Sequence, residues 1–228
     1  MGITIKTAKT YLSTYRTFWR HLNKLKLVDK SLDAFKDVLP EVKKSTQPKR
    51  DYFTPEDYRR LLQGVPEHDG ALGDLIQLGA YTGCRIEELC NLKIQNVSAD
   101  YLKIADAKTE AGIRKVPLHS AIRQLVARLR DTSSDGYLLA DLTFNKYGDR
   151  SNAIGKRFGN LKRKLGYGPE HVFHSFRRGV VTQFEEAGVP ENIAARIVGH
   201  DYKTITFGTY SGGASINTMQ EAIEVLRW

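Results

Sequence analysis

The chain is poor in the residues that would tie it to a metal, a disulfide framework or a membrane. It has two cysteines, Cys84 and Cys90, in one apolar stretch, and no Cys-x-x-C. Structural zinc needs about four ligands at close spacing, so none is expected, and the thiols read as reduced and packed. No apolar run approaches the roughly 18 residues that cross a bilayer. The N-terminus lacks the apolar stretch of a signal peptide. No cluster of carboxylates suited to magnesium is visible. Acidic residues are outnumbered as well, 26 against 35 Lys and Arg, which leaves a net charge of +9. That balance favours a polyanionic partner, and without membrane segments nucleic acid is the first choice.

What is present suits a folded chain. Hydrophobic residues make up 41% of the 228, enough for a sizeable core. Residues 4–24 read as one amphipathic helix, since Tyr11, Tyr15, Phe18, Leu22 and, just beyond, Leu25 recur at helical spacing. Ser31-Leu32-Asp33-Ala34-Phe35 resembles the start of a second, short helix. From Pro40 to Asp51 the sequence turns polar and basic, with linker composition. Thr54-Pro55-Glu56-Asp57 then offers an N-cap, a proline for the first helical position and acids for the first turn. Further helices are predicted at about 71–81, 85–92, 119–130, 150–165, 173–187, 190–198 and 217–226. Gly83, Gly188 and Gly199 fall where helices would end. Tyr101 to Ile104 and Arg114 to Leu118, separated by a Thr109–Gly112 turn, give a hairpin signal. The fold class is therefore α+β, mainly α, with one small antiparallel sheet.

Six residues stand out chemically, each with an ordinary reading beside it. His174 and Arg177 are three apart and share a helix face, able to hold one phosphate or simply to meet solvent. Arg85 follows Gly83-Cys84 at a helix start, where backbone N–H groups favour an anion, or it pairs with Glu87 or Glu88 on a surface. Lys108, at the hairpin bend, could deliver a proton or be a solvated turn lysine; Lys103 and Lys115, on the strands, suit phosphate-backbone contacts better. Tyr210 lies between Gly208 and Gly212-Gly213, flanks that a core tyrosine does not need. It is one of eleven tyrosines. Guanidiniums hold phosphate in bidentate fashion, a phenol can attack phosphorus, and an ammonium can protonate a departing oxygen.

Taken together these segments carry a resemblance. Thr82-Gly83-Cys84-Arg85-Ile86-Glu87-Glu88-Leu89-Cys90-Asn91-Leu92 is similar to the first signature box of tyrosine recombinases. Phe173-His174-Ser175-Phe176-Arg177-Arg178-Gly179 resembles their His-x-x-Arg box, and Val198-Gly199-His200 followed by Thr204 to Tyr210 resembles the third box with its nucleophile. Lys108-Thr109 ahead of Arg114-Lys115-Val116-Pro117-Leu118 resembles the hairpin lysine segment. The ending Thr206-Phe207-Gly208-Thr209-Tyr210-Ser211-Gly212-Gly213 is similar to integrases of prophages and genomic islands. The resemblance spans about Thr54 to Trp228.

The resemblance implies a site-specific recombinase that cuts and rejoins DNA through a 3′-phosphotyrosyl bond. Tyr210 would be the nucleophile and Lys108 the general acid for the 5′ oxygen. Arg85 and Arg177 would clamp the non-bridging oxygens. His174 would act as acid/base and His200 would hydrogen-bond the phosphate. Glu88 would support Arg85 or an imidazole, or be helix-surface charge. The covalent link keeps the phosphodiester energy, so no cofactor and no metal are expected. The implied partners are double-stranded DNA attachment sites, a tetramer on DNA, and a bending or excision factor, in the cytoplasm of a bacterial cell. Residues 1–50 would be a partial core-binding helical segment and linker, and 51–228 the catalytic domain with its C-terminal helix. The family's core-binding domain runs to about 80–100 residues, so a fragment keeping its last helices is expected. The final helix would dock on a neighbouring protomer or cover its own domain. The interval from His200 to Tyr210 is one residue longer than in many relatives. A type IB topoisomerase and a non-catalytic DNA-binding regulator on the same fold remain as alternatives.

Overall fold

The computed structural model describes residues 5–29, 31–32, 34–36, 38, 50–105, 112–200 and 215–228. The chain forms two compact units, Met1–Gln47 and Pro48–Trp228. Among the described residues no helix is long and apolar enough to cross a membrane.

The first unit is built on α1 (Ile5–Lys24). Trp19 Nε1 donates to Leu32 O at 3.0 Å and Arg16 Nη2 to Phe35 O at 2.9 Å. The Phe35 ring stacks on Tyr15, 5.9 Å between centroids. The helix expected from Ser31 is instead a set of turns. Asp29 Oδ1 takes both the Ser31 N–H and its hydroxyl at 2.8 Å, a side-chain turn that competes with helix formation.

The second unit opens with α2 (Pro55–Gln63). Thr54 Oγ1 accepts from Asp57 N at 3.2 Å and the Asp57 carboxylate accepts from Thr54 N at 2.9 Å, a reciprocal cap whose loss costs about 1 kcal/mol. Next comes α3 (Gly70–Thr82), buried along most of its length by Leu72, Leu75, Ile76, Leu78 and Tyr81. An all-round apolar helix belongs at the centre of a domain, and α3 is that centre. Gly83 ends it at φ 61° and turns the chain into the short α4 (Ile86–Cys90). β1 (Tyr101–Ile104) and β2 (Arg114–Pro117) pair antiparallel, with Lys103 opposite Lys115 and Ile104 opposite Arg114. The bend between them, with Lys108, lies outside the described residues.

α5 (Arg123–Asp131) and α6 (Ser151–Lys164) follow, then α7 (His174–Glu186) and α8 (Glu191–Val198). α7 lies so close to the neighbouring segments that a Cβ on Gly179 would sit 2.7 Å from the Phe53 carbonyl oxygen. Arg150, 2% exposed, is fully engaged: Nε donates to Cys90 O at 2.9 Å, Nη2 to Asp135 at 3.0 Å, and its guanidinium lies 3.7 Å over Tyr137. Both cysteines are free and buried.

The last helix, α9 (Ile216–Ile223), docks on its own domain. Met219, Ala222, Ile223 and Leu226 join the main core, and the Trp228 ring meets Tyr58 and Phe176. Glu224 holds Ser120 through N–H at 2.9 Å and hydroxyl at 2.7 Å. Docking on a neighbouring protomer is thus not the arrangement of the single chain, which already buries this apolar face.

Candidate active site

The site assembles where the ends of three elements meet beside the sheet. At the start of α4, Glu88 folds back on Arg85: Oε2 accepts the Arg85 backbone N–H at 2.9 Å and Oε1 accepts Nη1 at 2.6 Å. Arg85 keeps 40% of its side-chain surface, while Glu88 keeps 6%. Glu87, the next carboxylate along, turns the other way and caps α6 by accepting from Arg150 N at 2.9 Å and Ser151 N at 3.0 Å. Two adjacent acids therefore fix α4 on one side and serve the site on the other.

α7 supplies Arg177, 1% exposed. Its Nη1 donates to Gly83 O at 3.1 Å, Nη2 to Gly199 O at 3.2 Å, and Nε to His200 Nε2 at 3.4 Å. One guanidinium thereby ties the end of α3 to the end of α8. Gly199 sits at φ 71°, a left-handed cap that lets His200 leave the helix toward Arg177. His174 opens α7, in a turn closed by Ser175 Oγ accepting from Val172 N at 3.0 Å.

Arg114 completes the set from β2. Its Nη2 donates to Glu88 Oε2 at 2.9 Å, and its side chain is 6% exposed. Glu88 thus sits between an outward and an inward arginine. Among the described residues, Glu88 pairs with Arg85 and Arg114 while Arg177 stands nearby, so three guanidiniums gather around one carboxylate and a surplus of positive charge remains.

The titrating groups register that surplus. Burial works against ionised Glu88, but the hydrogen bonds and charge of Arg114, then Arg85, win and hold it below the usual carboxylate range. Burial, then the charges of Arg85 and Arg114, push Arg177 down to about 10, so it stays protonated at neutral pH. Partial burial and the charges of Arg177, Arg178 and Arg85 lower His174. The same effects from Arg177, Arg85, His174 and Arg114 lower His200. The cluster favours neutral imidazoles beside fixed guanidiniums, a setting that would bind a dianion or a phosphodiester.

The structure brings Arg85, His174, Arg177 and His200 into one cluster, with Glu88 at its floor. Lys108 and Tyr210 lie outside the described residues. Arg114 was not expected as a site residue, although strand alternation gave a signal: it shares the inward face of β2 with Val116, where a charge is unusual. Among the described residues no group of three or more His, Cys, Asp or Glu side chains could hold a metal ion.

The phage integrase family matches residues 51–214, more than half of the chain. No curated protein matches the chain at a significant level. Solved structures give fold likenesses. A Tn1549 transposon integrase in complex with transposon right end DNA matches with a TM-score of 0.66 and 21% identity, over 99% of this chain and 80% of that one. A lambda integrase dimer bound to a COC′ core site matches with a TM-score of 0.65 and 18% identity, over 89% of this chain and 58% of that one. A lambda integrase tetramer bound to a Holliday junction gives 0.63 and 17%, over 88% and 60%. The chain thus spans somewhat under two thirds of the lambda integrase chains it matches in these two structures. At these identities the likeness is one of fold.

Proposed function

The chain belongs to the phage integrase family, and from that premise we propose that it is a site-specific tyrosine recombinase, cutting and rejoining DNA to integrate or excise a mobile element. The observation that carries this reading is a surplus of positive charge: Arg85 and Arg114 on the carboxylate of Glu88, with Arg177 and two neutral imidazoles beside them.

In this reading the Tyr210 oxygen attacks the scissile phosphorus, a new P–O bond forms, and the bond to the 5′ oxygen breaks. Lys108 gives that oxygen its proton. Arg85 and Arg177 neutralise the non-bridging oxygens as charge builds on them. His174, neutral at physiological pH, accepts the phenol proton, and His200 hydrogen-bonds the phosphate. Reversal with another strand's 5′-hydroxyl exchanges strands. The covalent bond stores the phosphodiester energy, so neither metal nor nucleotide enters the balance. The partners are double-stranded attachment sites, a tetrameric assembly and a bending or excision factor, within the cytoplasm. Residues 1–50 serve as part of a core-binding segment with its linker, and 51–228 as the catalytic domain.

Covalent trapping tests the reading. The protein is incubated without magnesium with nicked fragments of its source genome, digested, and analysed by mass spectrometry. A nucleotide adduct on Tyr210 supports it, and the attached DNA identifies the site. Intact DNA binding with no adduct would contradict it in favour of a DNA-binding regulator.

A further inference from the structure

Arg114, like its partner Glu88, is a member of the cluster to which the recombinase chemistry above gives no step. It opens β2 on the inward face of the sheet, opposite Ile104, and its donors reach three parts of the fold. Nε donates to Ile197 O at 2.8 Å, in the last turn of α8 before His200. Nη1 donates to Gly112 O at 2.8 Å, where the hairpin bend returns to the strand. Nη1 and Nη2 together face the Glu88 carboxylate, at 3.3 Å to Oε1 and 2.9 Å to Oε2. The space is shaped for it: a Cβ on Gly199 would lie 2.8 Å from Arg114 Nη1.

The arrangement has an electrostatic consequence. Glu88 lies between two cations and can serve either. Without the inner one, its full charge would fall on Arg85, and a guanidinium neutralised by a carboxylate binds phosphate poorly. With Arg114 holding both oxygens from below, Arg85 keeps a fixed direction through one hydrogen bond and retains most of its charge for an incoming anion. A lysine cannot reproduce the two-pronged contact.

We infer that Arg114 is a positioning residue for strand cleavage, acting through Glu88 to aim Arg85 and keep it charged. This role rests on the recombinase reading. It differs from a packing role because it concerns charge on the transferring phosphate rather than the stability of the sheet.

The test uses the full chain and the nicked duplex whose sequence is recovered from the wild-type Tyr210 adduct. That duplex is prepared with either an ordinary phosphate or a neutral methylphosphonate at the cleaved position. Arg114→Gln and Arg114→Lys are compared with wild type for DNA affinity and single-turnover cleavage. Arg114→Gln is expected to leave affinity within about twofold and to slow phosphate cleavage by about a hundredfold, the order of loss for a misplaced catalytic group. The deficit is expected to shrink to under about tenfold on the methylphosphonate, which places less charge before Arg85. Arg114→Lys should fall between Gln and wild type. Adding Glu88→Gln to Arg114→Gln should cost less than about twofold more, since the two act as one unit. Undiminished cleavage by Arg114→Gln, or equal deficits on both substrates, would overturn the role. Should Arg114→Gln fail to fold, Arg114→Lys, which keeps the charge and most of the volume, carries the same comparison. If wild type itself forms no adduct, the recombinase reading falls and this role with it. A wild-type adduct with unaffected variants removes this role alone.

Discussion

Arg177 Nε points at His200 Nε2 across 3.4 Å, so this nitrogen carries the lone pair, the proton sits on Nδ1, and the ring is neutral. A buried guanidinium and a charged imidazole would otherwise stand side by side with nothing between them. The geometry and the lowered His200 titration agree, and both make the DNA-free site a place that resists further positive charge until an anion enters.

The first expected outcome concerns pH. His119, His174 and His200 are all held below the ordinary histidine value of 6.5, His119 by burial and the more exposed His174 and His200 by desolvation and the arginines beside them. The unfolded chain therefore takes up protons on these rings at a higher pH than the folded chain does. Their contribution to stability is complete above about 6.5 and is lost as pH falls toward the depressed values. The thermal midpoint of the DNA-free protein should hold from pH 8 to 7 and decline below 6.5. A midpoint flat down to pH 5.5 would contradict the lowered titrations.

Tyr210→Phe removes only the attacking oxygen. Covalent adducts on nicked DNA should vanish, while DNA affinity measured by fluorescence anisotropy stays within about twofold, because the phosphate contacts in this reading belong to the arginines and lysines. Loss of binding alongside loss of adduct would mean the tyrosine is structural.

Gly179 faces two unyielding neighbours. A Cβ there would lie 2.7 Å from the Phe53 carbonyl oxygen and 2.6 Å from the Trp228 ring, and the first of these is backbone. Gly179→Ala must push α7 away from the segment entering α2 and displace the C-terminal tryptophan. A destabilisation of about 1–3 kcal/mol is expected from overpacking, read as a lower urea midpoint at unchanged slope. An unchanged midpoint would mean that neither the Phe53 backbone nor Trp228 presses on α7 at this point in solution.

Much of the scaffold was legible because its punctuation is local. Thr54, Pro55 and Asp57 announce α2 by cap chemistry, and Gly83 and Gly199 end helices at positive φ as glycines at those sites should. The expectation that His174 and Arg177 share a face of α7 came from helical spacing alone. The failures came from interactions that spacing cannot encode. Asp29 captured Ser31 and turned the chain where a helix start was read. Glu87 resembled an ion-pair partner for Arg85, yet it caps α6, more than sixty positions away along the chain. Arg114 is not singled out by the sequence because its partners, Glu88 and Ile197, come from distant segments.

Lys103 and Lys115 make the last case, because they should affect folding and binding in opposite directions. They stand directly opposite each other on the outward face of the hairpin, and both are exposed. Like charges in that relation destabilise a strand pair by a few tenths of a kcal/mol. The Lys115 ammonium gains a little by lying 4.6 Å over the Tyr101 ring, which leaves the repulsion only partly offset. A DNA phosphate placed between the two would reverse the sign of the pair. Lys103→Gln should therefore leave the DNA-free protein equally stable or slightly more so, while weakening DNA binding and lowering the slope of log K against log salt by about 0.9, one phosphate contact. Lys115→Gln should act alike, and the double variant should lose about two such contacts. If the slope stays at its wild-type value while stability rises, the sheet face does not meet the backbone, and the two lysines are a surface repulsion with no binding role.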